Sequence, residues 1–246
     1  TYQCYKGGPQ KGEGMETDGC PLYSHPAQLE DNRDCVLCMT CLKACPHRSV
    51  ELNLRPPGIE LWTTHVPRSY EVALLMLLLG GIFLHRLPEI QSILGLNLNL
   101  TQFWPHLGVS LAALIVPATV PFLAYGLIKL FHGSLKSRSF VELAYGYLPL
   151  VWGGSLAHYL RLGLGEAGRI IPVTFATFGM NGEALPILVA HPAVIAFLQG
   201  TTLIFSTFLT AILTQKIARQ SVRSLLPQHL AAVVLAVSLW AIIVDW

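Results

Sequence analysis

Residues 105–131 read "PHLGVSLAALIVPATVPFLAYGLIKLF", and the only charged side chain among them is Lys129. About 20 apolar residues make an α-helix long enough to cross the hydrocarbon core of a bilayer. This stretch therefore sets the class of fold: helix in lipid. Working outward, four more segments have the same character, at about 70–87, 140–162, 186–213 and 225–245. Pro105, Pro117 and Pro121 predict a kink in the quoted span. The fourth span opens "LPILVAHP", which reads as a short broken turn before Pro192. Between the third and fourth, "RIIPVTFATFGMNGE" reads as an interfacial helix. Composition agrees over the whole chain. Of 246 residues, 52% are hydrophobic and 12% charged, against about 25% charged in a soluble domain. The net charge of +2 is too small to point to nucleic acid. The expectation is an all-α polytopic membrane protein of about five transmembrane helices over residues 70–246, reached through a linker at 61–69.

The front of the chain is a different material. Residues 1–69 carry eight acids and seven bases. "CYKGGPQKGEGMETDG" reads as loop, and "SVELNLRPPG" as a short strand ending in a Pro-Pro-Gly turn. Between them lies "RDCVLCMTCLKACPHRSV", Arg33 to Val50, with four of the six cysteines: Cys35, Cys38, Cys41 and Cys45. The spacing C-x2-C-x2-C-x3-C-P is the ferredoxin run for an iron–sulfur cluster. Three thiolates two residues apart can wrap a tight loop around one cubane. The fourth follows one residue late, and Pro46 turns the chain away. Zinc sites usually use two separated C-x2-C pairs or add histidine, and a disulfide framework has no need of this rhythm. Residues 1–60 are thus expected to form a small α+β ferredoxin-like domain holding a [4Fe–4S] cluster.

Two questions stay open at this point. The fourth ligand is Cys45 or Cys20, the latter in a second Cys-Pro within "DGCPLYSHP". The number of clusters is one or two, and a second would need Cys4, otherwise a free thiol, or ligands upstream of Thr1. The opening on Thr1 rather than methionine reads as a processed or partial chain. His25 and His47 lie near the cysteines and read first as polar surface residues, second as ligands.

With these residues in view, the chain resembles the membrane-bound polyferredoxins, which include the NapH and NosR accessory proteins of nitrate and nitrous oxide respiration and the CcoG-type oxidase assembly proteins. The close match covers about residues 19–58, from "GCPLYSHPAQLEDNRDC" to "CPHRSVELNLRPPG". The resemblance implies a prokaryotic inner-membrane protein passing electrons between a quinol pool or ferredoxin and a partner protein. It carries Cys35, Cys38, Cys41 and Cys45 as cluster ligands, with Cys20 beside them. The chain departs from the family in lacking a second full cysteine run and in placing many helices after the first.

The membrane segments hold their own candidates. His85, His106, His132, His158, His191 and His229 lie in or beside the spans. Ionisable residues in a bilayer are costly and mark function by default. Only His158 looks deep, with Arg161 one turn on and Gly153 and Gly154 upstream. The candidates for a membrane redox site are His158, Arg161, His85, His106 and His191, and the readings are a haem b held between histidines, a quinone site near His158 and Arg161, and plain interhelical hydrogen bonding. Bases orient the whole. Lys129, Lys136 and Arg138 follow the second span and Lys216, Arg219 and Arg223 the fourth. Positive loops stay cytoplasmic, which puts the cysteine head in the cytoplasm and Trp246 outside. Trp62, Trp104 and Trp246 are placed as an aromatic belt would place them. The functional expectation is a membrane-anchored electron-transfer subunit or accessory protein rather than a stand-alone enzyme. Two alternatives stand beside it: a quinol-linked or haem b oxidoreductase, and a redox-sensing regulatory or assembly protein.

Overall fold

A computed structural model of the chain describes residues 6–8, 14–25, 35–51, 54, 56, 58–96, 100–132, 138–182 and 185–244. Cys4, Trp246 and the side chain of His132 lie outside the described residues. The chain divides into two compact units, Thr1–Pro57 and Gly58–Trp246.

In the first unit α1 spans Thr40–Ala44. Segment 14–17 is laid against its end: the Met15 N–H donates to the Lys43 carbonyl at 3.0 Å. A Cβ on Gly14 would stand 2.2 Å from the Ala44 carbonyl oxygen, so only glycine permits the approach. Among the described residues there is no strand, and the α+β ferredoxin-like head is not seen. The reason is local. A strand needs a neighbour to take its N–H and C=O groups, and no described segment offers one to Ser49, Val50 and Glu51. Residues 52, 53, 55 and 57 of the expected strand lie outside the described residues.

The second unit is helical. Its elements are α2 (Glu60–Thr63), α3 (Ser69–His85), α4 (Leu87–Leu94), α5 (Phe103–His132), α6 (Phe140–Ala144), α7 (Leu148–Glu166), α8 (Ile170–Thr177), α9 (Pro192–Ala218) and α10 (Leu226–Ile243). A 3-10 turn, Tyr145–Tyr147, joins α6 to α7. Three of these, α5, α9 and α10, are long and apolar enough to cross a membrane, and α3 with α4 makes a fourth if that pair, bent by 67°, is one span. The helices are apolar on every face, and residues such as Leu77, Ile115, Phe122, Phe205, Phe208 and Val237 point outward, each more than half exposed. Soluble monomers rarely show such surfaces; lipid-facing helices do. This is a multi-pass membrane architecture.

The five expected spans fall on α3, α5, α7, α9 and α10, but among the described residues only α5, α9 and α10 pass as spans, α3 does so only together with α4, and α7 does not. The helix of the quoted stretch runs unbroken through Pro117 and Pro121. Residues 140–162 are not one helix: Ser139 caps α6 with a full capping box, and the chain turns through Tyr145–Tyr147 before α7 begins. Residues 185–191 are non-helical, as "LPILVAHP" suggested, and α9 starts at Pro192. α8 is the expected helix after Arg169.

Small residues set the packing. α7 lies against α3, α9 and α10, and α10 also packs on α5. A Cβ on Gly153 of α7 would fall 1.7 Å from Ser206 Oγ of α9. On Gly80 of α3 it would stand 2.2 Å from the Leu114 carbonyl oxygen of α5. Close backbone approach through small residues is the usual device where lipid offers helices no hydrophobic drive to associate. Polar side chains add to it. Thr210 Oγ1 accepts the Leu150 N–H at 3.0 Å, satisfying an orphan donor of the first turn of α7. Gln199 Nε2 donates to the Ala157 carbonyl at 3.0 Å, and Tyr147 Oη bonds to Gln228.

Candidate functional sites

The cysteine segment is shaped by two bulky residues in the left-handed region, Leu37 (φ 51°) and Met39 (φ 60°). Such residues are uncommon, and they concentrate where a loop must wrap something. Between them sits Cys38, exposed, with Cys35 and Cys41 half-buried and Cys45 buried. Donors are aimed at sulfur. The Leu37 N–H reaches Cys35 Sγ at 3.4 Å, and Cys45 Sγ lies 3.4 Å from Ser49 Oγ. Hydrogen bonding from the Thr40 side chain and N–H holds the Cys38 thiol below its ordinary range. Hydrogen bonding from Ser49 brings the Cys45 thiol down to about 7. Both effects favour thiolate, the form that ligates metal. Cys20 opens a tight turn, its carbonyl accepting the Tyr23 N–H at 3.0 Å. The chemistry of this donor set suits a cluster. The geometry is not assembled: among the described residues no three His, Cys, Asp or Glu side chains are grouped to hold a metal ion. His47 is exposed and His25 half-buried.

In the helical unit the expected histidines part company. His106 is exposed in the first turn of α5. His191 caps α9, its Nδ1 accepting the Ala193 N–H at 3.2 Å. His229 is half-buried in the first turn of α10. His85 and His158 do meet: their rings stack at 5.4 Å with 25° between planes, and Tyr159 stands edge-on to both. Two rings stacked in this way cannot also approach one porphyrin iron end-on from opposite faces.

The guanidinium that serves His158 is Arg86, not Arg161, which is exposed. Arg86 sits at the bend between α3 and α4 and is only 7% exposed. Its Nε donates to His158 Nδ1 at 3.2 Å, and its Nη1 meets Glu89 Oε1 at 2.7 Å. An imidazole that accepts at Nδ1 carries its proton on Nε2, so Arg86 sets the His158 tautomer. The sequence held the signal in "HRLPE": a base, then proline in the first turn of a new helix, then an acid three residues on.

A second polar group lies at the other end of α3. Glu71 and Arg86 are fifteen residues apart, about 22 Å along the helix. Tyr145 Oη donates to Glu71 at 2.6 Å and accepts the Arg68 N–H at 3.0 Å, and its ring packs at 4.3 Å on His65. Beside it, Leu61, Trp62, His65, Arg138, Glu142 and Arg219 help to line a cavity of about 200 Å³. Burial pushes the Glu142 carboxyl up, but hydrogen bonds from the Ser139 N–H and hydroxyl and from Arg138 outweigh it and hold it below its usual range.

Comparison of the chain with protein-family models, curated proteins and solved structures gives no significant match.

Proposed function

We propose that this chain is a membrane-anchored iron–sulfur electron carrier, a subunit or accessory protein that relays electrons between a quinol pool or ferredoxin and a redox partner protein. The observation that carries the reading is the run Cys35, Cys38, Cys41, Cys45-Pro46 on a loop bent by Leu37 and Met39, with donors directed at its sulfurs. When bound there, a [4Fe–4S] cluster would supply outer-sphere one-electron transfer. The chain's own part is to hold thiolates, aim N–H and O–H groups at sulfur, and keep the head at the bilayer through its helices. Cys20 and Cys45 compete for the fourth ligand, and a second cluster would draw on Cys4. The setting this reading implies is a prokaryotic inner or other energy-transducing membrane, with the head on the cytoplasmic side.

The test is anaerobic purification in detergent, iron and acid-labile sulfide per chain, and EPR of the dithionite-reduced form. About four irons with one cubane signal is the expected result. About eight with coupled signals means two clusters. Cys38→Ala and Cys41→Ala should each abolish the signal, and whichever of Cys20→Ala and Cys45→Ala does so names the fourth ligand. Tightly bound zinc in place of iron ends the electron-transfer reading.

One observation favours the quinol-linked form of a second reading, a quinol-linked or haem b oxidoreductase: the buried Arg86 bonded to the half-buried His158. A quinone would meet a fixed Nε2–H donor there. A Soret band in the purified protein would assign haem to the helices. Its absence, with quinol oxidation lost in His158→Ala, would assign quinone.

A further inference from the structure

The cavity beside Tyr145 lies at the opposite end of α3 from the His85–His158 pair. Three elements build it. α2 supplies Leu61, Trp62 and Thr63, with His65 and Pro67 following; Arg138 and Glu142 come from the start of α6; and Ile217 and Arg219 come from the end of α9. Its charges do not cancel. Arg138 is neutralised by Glu142 at 3.0 Å, and the second carboxylate oxygen of Glu142 is filled by the Ser139 N–H and hydroxyl. Arg219 has no carboxylate partner among the described residues. Its Nη2 donates to the Trp62 carbonyl at 2.9 Å, which leaves most of its donor fork unspent. Among the lining side chains two guanidiniums stand against one carboxylate, Glu71 lying behind the lining on Tyr145 and His65, and the spare positive charge belongs to Arg219, whose backbone closes α9, its N–H donating to the Gln215 carbonyl at 3.0 Å.

The surroundings say which anion fits. Arg68, Lys129, Arg138, Lys216, Arg219 and Arg223 all fall at this end of the helices, against Arg86, Arg161 and Arg169 at the other. Trp62 and Tyr145 are the residue types that settle at headgroup depth. Drug-sized ligands fill about 300–1,000 Å³, so a cavity of about 200 Å³ suits a headgroup rather than a whole cofactor. A planar fork beside an aromatic wall at a basic membrane face is the chemistry that takes phosphate.

We propose that this cavity binds a phosphate group of net negative charge, with Arg219 as its principal ligand and Arg138 as the second guanidinium. An anionic phospholipid and a free phosphate ester share that chemistry. The experiment is calorimetric titration of the full chain in maltoside micelles with dihexanoyl phosphatidylglycerol and, separately, with inorganic phosphate. Saturable binding of at least one is expected, weakened about tenfold or more by Arg219→Gln. Thr63→Glu, which adds a carboxylate to the lining and leaves Arg219 in place, should weaken it too. Arg223→Gln, an exposed base outside the cavity lining, should leave it within about twofold. Glycerolipid binding that phosphate does not displace identifies a lipid headgroup; equal competition identifies a free phosphate. The proposal is overturned if neither ligand saturates, or if Arg223→Gln weakens binding as much as Arg219→Gln does.

Discussion

Arg86 is the residue on which the polar interior turns. A guanidinium 93% out of contact with solvent, its exposure being 7%, is tolerable only while Glu89 and His158 occupy its donors. Arg86→Ala would strand both partners, and the expected loss is about 3 kcal/mol, near the lower bound for broken buried pairs because Glu89 is partly exposed. Arg161→Ala, on an exposed side chain, should change stability by less than about 0.5 kcal/mol. Thermal melts of the two variants in one detergent check the contrast, and equal losses would refute it. The sequence draws the eye to His158 and to Arg161 one turn on, whereas the guanidinium bonded to His158 is that of Arg86. His158 stood out because its neighbours in the chain are apolar. Arg86 did not, because in one dimension it is merely the first base after a span. Its burial goes with its place at the 67° bend between α3 and α4, against His158 and Glu89. The cysteines are the opposite case: spacing alone singles out Cys35, Cys38, Cys41 and Cys45. The left-handed turns at Leu37 and Met39 were invisible in the sequence, since neither residue type prefers that region.

At the level of elements, the decisive contact is α7 on α9. Gly153→Ala drives a methyl into Ser206, and the expected cost is about 1–3 kcal/mol. Adding Ser206→Ala should recover part of it, since the obstructing atom is the serine hydroxyl. Gly81→Ala is the control: its Cβ meets nothing within 4 Å, and helix propensity predicts a gain of about 0.5–1 kcal/mol. Detergent melts of the three variants and the Gly153/Ser206 double variant test both signs together. The capping box of α6 gives a pH-dependent companion. The Glu142 carboxyl is depressed in the folded chain, so its contribution is present above the unfolded carboxylate pKa and is lost as pH falls through the folded value. Glu142→Gln should therefore lower the melting temperature near neutrality and leave it unchanged at pH values below the carboxylate range. A gap that persists in acid would point to packing rather than charge. Ser139 and Glu142 spell a capping box in the sequence, yet apolar residues on both sides merge α6 and α7 into one apparent span. The break comes from the 3-10 turn at Tyr145–Tyr147, whose Tyr147 hydroxyl is claimed by Gln228 of a helix eighty residues away.

For the whole molecule, the apolar segments announce helices that must be hidden from water, five where three or four pass as spans among the described residues, and say nothing of which neighbours they choose. Helices apolar on every face carry no stripe to mark a partner. What they do carry is a charge asymmetry between their ends, and that yields the last prediction. α9 is 27 residues, about 40 Å, ample for a hydrocarbon core of about 30 Å. Met180 lies before it and Ser221 after it, on opposite sides if α9 crosses. Lys216, Arg219 and Arg223 surround Ser221, whereas Arg169 is the nearest base before Met180. The positive-inside bias then places Ser221 in the cytoplasm and Met180 outside. Paired fusions after each residue, to a reporter active only outside and to a fluorophore that matures only inside, decide it. Enzyme activity at Met180 with fluorescence at Ser221 is expected. The reverse pattern would overturn the orientation. The same reporter responding at both sites would mean that α9 does not cross, and the longest apolar helix after α5 would have to be read as a re-entrant or interfacial element instead.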